Sequence, residues 1–383
     1  MKMKMNKSQS ILVPSGFGSS AQGTEELFGR LRAGAWPFRK RTAAPLRRPN
    51  ALLILLAFFL LGQGIQAQDT RPPLVMFAEG EVRFAKPDGK SERVFTGMYL
   101  SEQGSIVLKK NSRVELIYND KFVELKEPGT VTFDKIFGTA PQRKSFIQRF
   151  SNFVGRGLDQ SSSARSIEKA YMANQSNAQG NIRGFGDRGL LDVFPFGGMV
   201  SPTEITFSWP EESGKSSYQF RLVDSLSEQV VLEVKTSRPA ITLNLEELLL
   251  QDGNLYYWEA GPAVQSPATS GPKRLSRRSQ PTTDYDRYTF TYVARDHAEV
   301  LTDIRSDEFY VKYSRPEQQM LIEAMLLEDA GFLAAAYDAY QRGLEVAPKD
   351  IILNRNYAAF LGRWNLRTQA KEIVEMTSKL PRE

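Results

Sequence analysis

Few residues of this sequence have side chains that enzymes use as nucleophiles, general bases or metal ligands. The 383 residues contain no cysteine and a single histidine, His297, which argues against thiol nucleophiles, histidine metal clusters and a Ser–His pair. The glycines of 184–186 lack the preceding strand and following helix of a phosphate-binding loop. Asp284 and Asp286 lie in a low-complexity loop. We therefore predict no enzyme, no metal and no cofactor, although two carboxylates distant in sequence could still meet in the fold.

A cluster of basic side chains is the clearest candidate for binding chemistry. It consists of Lys273, Arg274, Arg277 and Arg278, in a Ser- and Pro-rich loop over residues 261–286. Loops of this length are either functional or disordered. Two interpretations stay open: a solvated loop without a ligand, or a site for an anionic partner such as a polysaccharide or a lipid head group.

The net charge of +6 does not indicate a nucleic-acid partner. Residues 1–50 carry ten basic and two acidic side chains, a net charge of +8, and residues 51–67 carry none, so the remainder carries −2. The basic character thus belongs to the N-terminal segment, and nucleic-acid binding loses its main support.

An apolar segment near the N-terminus predicts export. Residues 51–67 follow Arg47 and Arg48, contain a short apolar run and end in the small residue Ala67, which is the layout of a signal peptide. The alternative is an uncleaved anchor in the inner membrane, with residues 1–50 in the cytoplasm. We expect residues 1–50 to be disordered or to result from a misassigned start. An exported chain without cysteine indicates the periplasm or surface of a bacterium.

The elements after this segment predict a multidomain chain that begins with an all-β unit at residues 74–137. Apolar and polar residues alternate in short runs, and Asn119-Asp120 separates two of them as turn residues do. The pattern of Gly80 to Val82, Gly97, Gly104 and the strands around the turn resembles the FecR-like domain of bacterial envelope proteins. The resemblance implies an extracytoplasmic interaction module.

Residues 140–195 predict an amphipathic helix followed by a flexible linker. Phe146, Phe150, Phe153 and Leu158 recur at helical spacing with arginines between them. This helix would either cap a neighbouring β-domain or contact a membrane or partner.

A β-sandwich is predicted at residues 199–294, with the loop 261–286 as an insertion. Several short strands are separated by turns, and two of them place tryptophans on one face, at Trp209 and Trp258. The Trp209-Pro210 strand end and the strand containing Tyr256 and Trp258 are similar to those of a fibronectin type III domain, which implies protein or glycan binding through loops, or a spacer.

Residues 296–383 predict helices. Small residues and Tyr340 recur in steps of three and four, and Pro348 ends the second helix. This pattern resembles tetratricopeptide repeats at 317–350 and 351–383, too few for independent stability, so we expect cover from 296–313, from the sandwich or from another chain. The resemblance implies a concave peptide-binding face, which on this chain comprises Gln318, Met325, Glu328, Asp329, Arg355 and Arg363, with Trp364 as an exposed anchor. The alternative is a solvated surface without a ligand.

Together these features predict a non-enzymatic exported scaffold or adaptor that binds proteins of the bacterial envelope. Two alternatives stay open: a glycan- or envelope-binding module with peptidoglycan or another glycan as its partner, and a membrane-anchored FecR-like signalling protein.

Overall fold

The first β region contains seven short strands, and in the strand Val82–Ala85 the buried residues Val82 and Phe84 alternate with the exposed Arg83. The computed structural model describes residues 71–138, 146–179, 192–195, 197–263 and 287–380. The strands are β1 (Leu74–Glu79), β2 (Val82–Ala85), β3 (Ser91–Arg93), β4 (Ser105–Leu108), β5 (Arg113–Tyr118), β6 (Lys121–Leu125) and β7 (Gly129–Thr132). They form two antiparallel sheets, in the orders β1-β5-β6 and β3-β2-β4-β7. The predicted turn at Asn119 joins β5 to β6, with a positive φ of 53° that asparagine tolerates well.

A second β region is built around aromatic side chains. Its strands are β8 (Met199–Val200), β9 (Glu204–Ser208), β10 (Tyr218–Asp224), β11 (Val230–Thr236), β12 (Ala240–Asn244), β13 (Leu255–Pro262) and β14 (Tyr288–Tyr292). The sheets have the orders β11-β10-β13-β14-β8 and β12-β9. Phe207 of the small sheet meets Trp258 of the large sheet edge-on, with 5.5 Å between ring centroids. The two sheets therefore bury a common aromatic core, as the alternation of the sequence predicts.

The remaining elements are helical. A short helix, α1 (Phe133–Gly138), ends the first β region. The others are α2 (Phe146–Gln160), α3 (Ala164–Gln179), α4 (Thr302–Arg305), α5 (Pro316–Asp329), α6 (Leu333–Val346), α7 (Ile351–Arg363) and α8 (Arg367–Ser378). Two 3-10 helices span Leu245–Leu248 and His297–Leu301, and a π-helix spans Phe309–Tyr313. Helices follow the β regions, so the chain has a mixed fold.

One helix departs from the prediction. Residues after α2 were expected to form a flexible linker, but 164–179 form α3, in which Ile167 is fully buried. Asn174 of α3 donates a hydrogen bond to the carbonyl of Arg363 at 3.0 Å. The contacts that order α3 thus come from residues almost two hundred positions away.

Helices α5 to α8 form two hairpins that pack through small residues. Ala324, Ala336 and Gly343 are buried where α5 and α6 contact each other. Tyr340 is fully buried beside Tyr357, with 5.4 Å between ring centroids. Burial disfavours the phenolate and raises the pKa of Tyr340 well above its usual value.

A buried ionic contact joins the first β region to α5. Glu115 of β5 is fully buried, and its carboxylate accepts hydrogen bonds from Arg113 at 2.5 Å and from Gln318 of α5 at 2.8 Å. Arg315 approaches the second carboxylate oxygen at 3.4 Å. Because residues 68–383 form one compact unit, this contact lies within a single body. Along the described ranges no helix is long and apolar enough to cross a membrane.

Candidate binding site

The seven residues predicted to bind a peptide lie on or directly after two neighbouring helices. Gln318, Met325, Glu328 and Asp329 are on α5, Arg355 and Arg363 are on α7, and Trp364 follows α7. Helix α2 packs against both α5 and α7, and α3 packs against α7. The face proposed for a ligand is therefore covered in large part by this chain's own helices.

Glycine permits the close approach of α2 to α7. A Cβ atom at Gly157 would lie 1.9 Å from Oδ1 of Asn356 and 3.2 Å from its Cα. Asn356 is buried, and its Nδ2 donates to the carbonyl of Ile352 at 2.9 Å. The two helix backbones can therefore reach this separation only without a side chain at residue 157.

The covered residues make contacts within the chain. Arg355 donates to the carbonyl of Leu158 and to Oγ of Ser161, at 3.3 Å for the hydroxyl. Gln318 is buried against Glu115. These two side chains, which the sequence predicts to bind a ligand, thus stabilise contacts between elements of the chain itself.

Arg363 and Glu328 form the most enclosed ion pair of this face. Two guanidinium nitrogens of Arg363 donate to Glu328 at 2.9 and 2.8 Å, and a third donates to Gln160 of α2 at 2.6 Å. Burial disfavours the charged form of Arg363, but the Glu328 carboxylate and the Tyr340 hydroxyl together outweigh burial and raise the pKa of this arginine. Trp364 was expected to be exposed, but it is half-buried and its indole N–H donates to Glu328 at 3.3 Å.

An open cleft of about 320 Å³ remains at the edge of the covered face. The side chains around it come from the start of the described chain, from α2 and from α5, namely Arg71, Arg149, Asn152, Phe153, Arg156, Met325 and Asp329. Of the predicted residues, the structure brings Met325 and Asp329 together here. The arginines of α2 are visible in the sequence as part of an amphipathic helix, whereas no sequence signal indicates that Arg71 would join them.

Other candidate residues do not form a site in the described parts of the chain. The basic cluster Lys273, Arg274, Arg277 and Arg278 lies outside the described residues. No group of three or more His, Asp or Glu side chains suited to a metal ion occurs among those that the structure describes. His297 begins a 3-10 helix, and its ring nitrogen lies 3.7 Å from the Asp296 carboxylate.

Comparisons with known proteins do not establish a family. No protein-family model matches the sequence, and no curated protein matches it. A solved structure, the β-1,2-glucanase from Parabacteroides distasonis, aligns with 81% of this chain and 49% of its own, at 9% identity and a TM-score of 0.17. The chain thus spans about half the length of that protein. Because this neighbour is an enzyme, the prediction that the chain is not an enzyme is corrected and withdrawn. So low a TM-score does not establish a shared fold, and no activity is transferred from that enzyme to this chain.

Proposed function

We propose that this chain is exported to a bacterial envelope and binds other proteins there through its helical region. The apolar segment 51–67 supports export, since its layout is that of a signal peptide. The absence of cysteine fits a bacterial envelope. We assign the β regions to FecR-like and fibronectin type III-like modules and the hairpins α5/α6 and α7/α8 to tetratricopeptide-like repeats. Their sequence patterns support each assignment.

One observation carries the proposal of protein binding. The cleft between α2 and α5 stays open on the side of the helical hairpins where repeat proteins of this kind hold peptides, and Asp329 of the predicted face lines it. The rest of that face is occupied by α2. A partner would therefore contact the cleft and the outer surfaces of α6 and α8, which carry exposed side chains such as Val346 and Met376.

Site-specific photo-crosslinking in the native host tests this function. A photoreactive amino acid replaces Asn152 at the cleft, Glu345 on α6 or Lys371 on α8, and Lys235 on β11 serves as a control in the second β region. We expect a discrete adduct with one envelope protein from at least one helical position and none from Lys235. No adduct from any helical position would refute the function.

Export is tested separately by N-terminal sequencing of the protein in the envelope fraction. Removal of the segment 51–67 predicts a new N-terminus at Gln68. Recovery of the chain in the cytosol with that segment intact would refute export.

A further inference from the structure

The cleft between α2 and α5 presents an unusual excess of arginine. Arg149, Asn152 and Arg156 are spaced at i, i+3 and i+7 on α2, so they lie on one face of that helix. Arg71 lines the same cleft and pairs with Asp159 at 2.7 Å. The only acidic residue in the described lining is Asp329. An anionic group would therefore meet a positively charged wall.

The two arginines of α2 are available to a ligand. Among the described residues no carboxylate pairs with Arg156, whose guanidinium lies 5.9 Å from the centre of the Phe153 ring. Arg149 pairs with Asp329 at 2.8 Å, and the two side chains are 56% and 44% exposed. Exposed ion pairs of this kind contribute little to stability, so a ligand carboxylate can replace that of Asp329.

The spacing of the arginines fits an extended peptide. Seven residues separate Arg149 from Arg156, which corresponds to about 10 Å along a helix at roughly 1.5 Å per residue. In an extended peptide of the polyproline II type, which has three residues per turn and a rise of about 3.1 Å per residue, side chains three residues apart lie on the same face, about 9 Å from each other. Arginine pairs with carboxylates through two parallel hydrogen bonds, which adds geometric selectivity.

Resting on the function proposed above, we propose that this cleft binds an extended acidic segment of a partner protein, with two carboxylates three residues apart. Arg149 and Arg156 each bind one carboxylate of this segment. A glycan fits less well because Phe153 is the only aromatic residue in the described lining and is 4% exposed. Sugars need an open aromatic face, which this ring does not offer.

A peptide titration with the chain from Gln68 to Glu383 tests the proposal. The probe is a fluorescently labelled peptide, Gly-Glu-Ala-Val-Glu-Gly, and the control peptides carry glutamine at both acidic positions or a single spacer residue between them. We expect the probe to bind more tightly than either control, and its affinity to fall with added salt as the charges are screened. Arg149→Gln or Arg156→Gln should each weaken binding roughly tenfold or more, since each removes a charge-assisted contact.

Two further variants make the test specific. Asp329→Asn removes the internal carboxylate that competes for Arg149 and should tighten binding roughly twofold to fivefold. Arg165→Gln, at an exposed arginine of α3 away from the cleft, should leave binding unchanged. Failure of the probe to bind, equal loss with Arg165→Gln, or weaker binding with Asp329→Asn would refute the proposal, as would binding of an acidic polysaccharide in its place. Adducts at Glu345 or Lys371 in cells without peptide binding would refute this inference while the proposed function stands.

Discussion

Replacement of Gly157 by alanine tests whether α2 is a fixed part of the helical body. The added Cβ would lie 1.9 Å from Oδ1 of Asn356, a buried side chain held by its hydrogen bond to Ile352. Its distance of 3.2 Å from the Asn356 Cα means that a rotation of the amide alone does not relieve the clash. Overpacking of this kind costs about 1–3 kcal/mol, while alanine gains about 1 kcal/mol over glycine within a helix.

The sign of the change in the free energy of unfolding distinguishes α2 packed on α7 from α2 free in solution. With α2 packed on α7, we expect Gly157→Ala to lower the free energy of unfolding by up to about 2 kcal/mol, since the cost of the clash exceeds the gain in helix propensity. With α2 free in solution, the same substitution would raise it by about 1 kcal/mol. Urea unfolding of residues 68–383, followed by circular dichroism and tryptophan fluorescence, measures this difference.

Two controls make the result interpretable. Gly138 ends α1 and has no atom within 4 Å of its would-be Cβ, so Gly138→Ala should change stability by less than about 0.5 kcal/mol. In the double variant Gly157→Ala, Asn356→Ala the colliding amide is absent, and we expect a favourable coupling of about 0.5–3 kcal/mol. A Gly157→Ala protein as stable as the wild type, with no coupling, would show that the packing of α2 on α7 is wrong.

Three other substitutions test the buried charges and one exposed turn, each by urea unfolding. Glu115→Gln removes a buried carboxylate from Arg315, which keeps its ion pair with Glu317, and should cost about 1–3 kcal/mol for the lost charged hydrogen bonds; a loss under about 0.5 kcal/mol would contradict the ionic contact. Burial raises the pKa of Asp350, so its folded form binds a proton more tightly than the unfolded chain, and stability is lost as pH rises through that raised pKa. Asp350→Asn keeps a helix cap and should therefore be at least as stable as wild type at pH 7, with its advantage vanishing in acid; a pH-independent difference would contradict this. Leu249 is 90% exposed at φ 51°, so Leu249→Asn should stabilise by up to about 1 kcal/mol, and a destabilised variant would contradict the strained turn.

Strands such as β2 and β9 could be predicted from the sequence because their buried and exposed residues alternate. In β9, Phe207 is buried, whereas Glu204 and Thr206 are exposed and Ser208 is half-buried. Tyr256 and Trp258 share a face of β13, as their spacing of two requires. This alternation is visible in neighbouring residues of the sequence, so a strand can be recognised without knowing which strand it pairs with.

The position of α2 and the order of α3 could not be predicted, because their contacts join residues that are distant in sequence. Arg367 of α8 donates to Glu168 of α3 at 2.6 Å and lies 4.5 Å above the ring of Tyr171. The sequence of α3 is rich in polar residues and resembles a linker. Helix α3 is stabilised by packing against α7 and α8, whose residues are distant from it in sequence.

Helix α2 packs on the two hairpins, and this packing determines how binding can be tested. Two repeats lack the buried surface for independent stability, and α2 supplies it with Ile147, Phe150 and Val154, all buried. Deletion of residues 317–383 would expose this apolar face, so loss of a partner after that deletion would not distinguish an interaction surface from an unfolded protein. Since the cover occupies most of the predicted peptide-binding face, point substitutions at the cleft separate recognition from folding: Arg149 and Arg156 are exposed there, and the body does not depend on them.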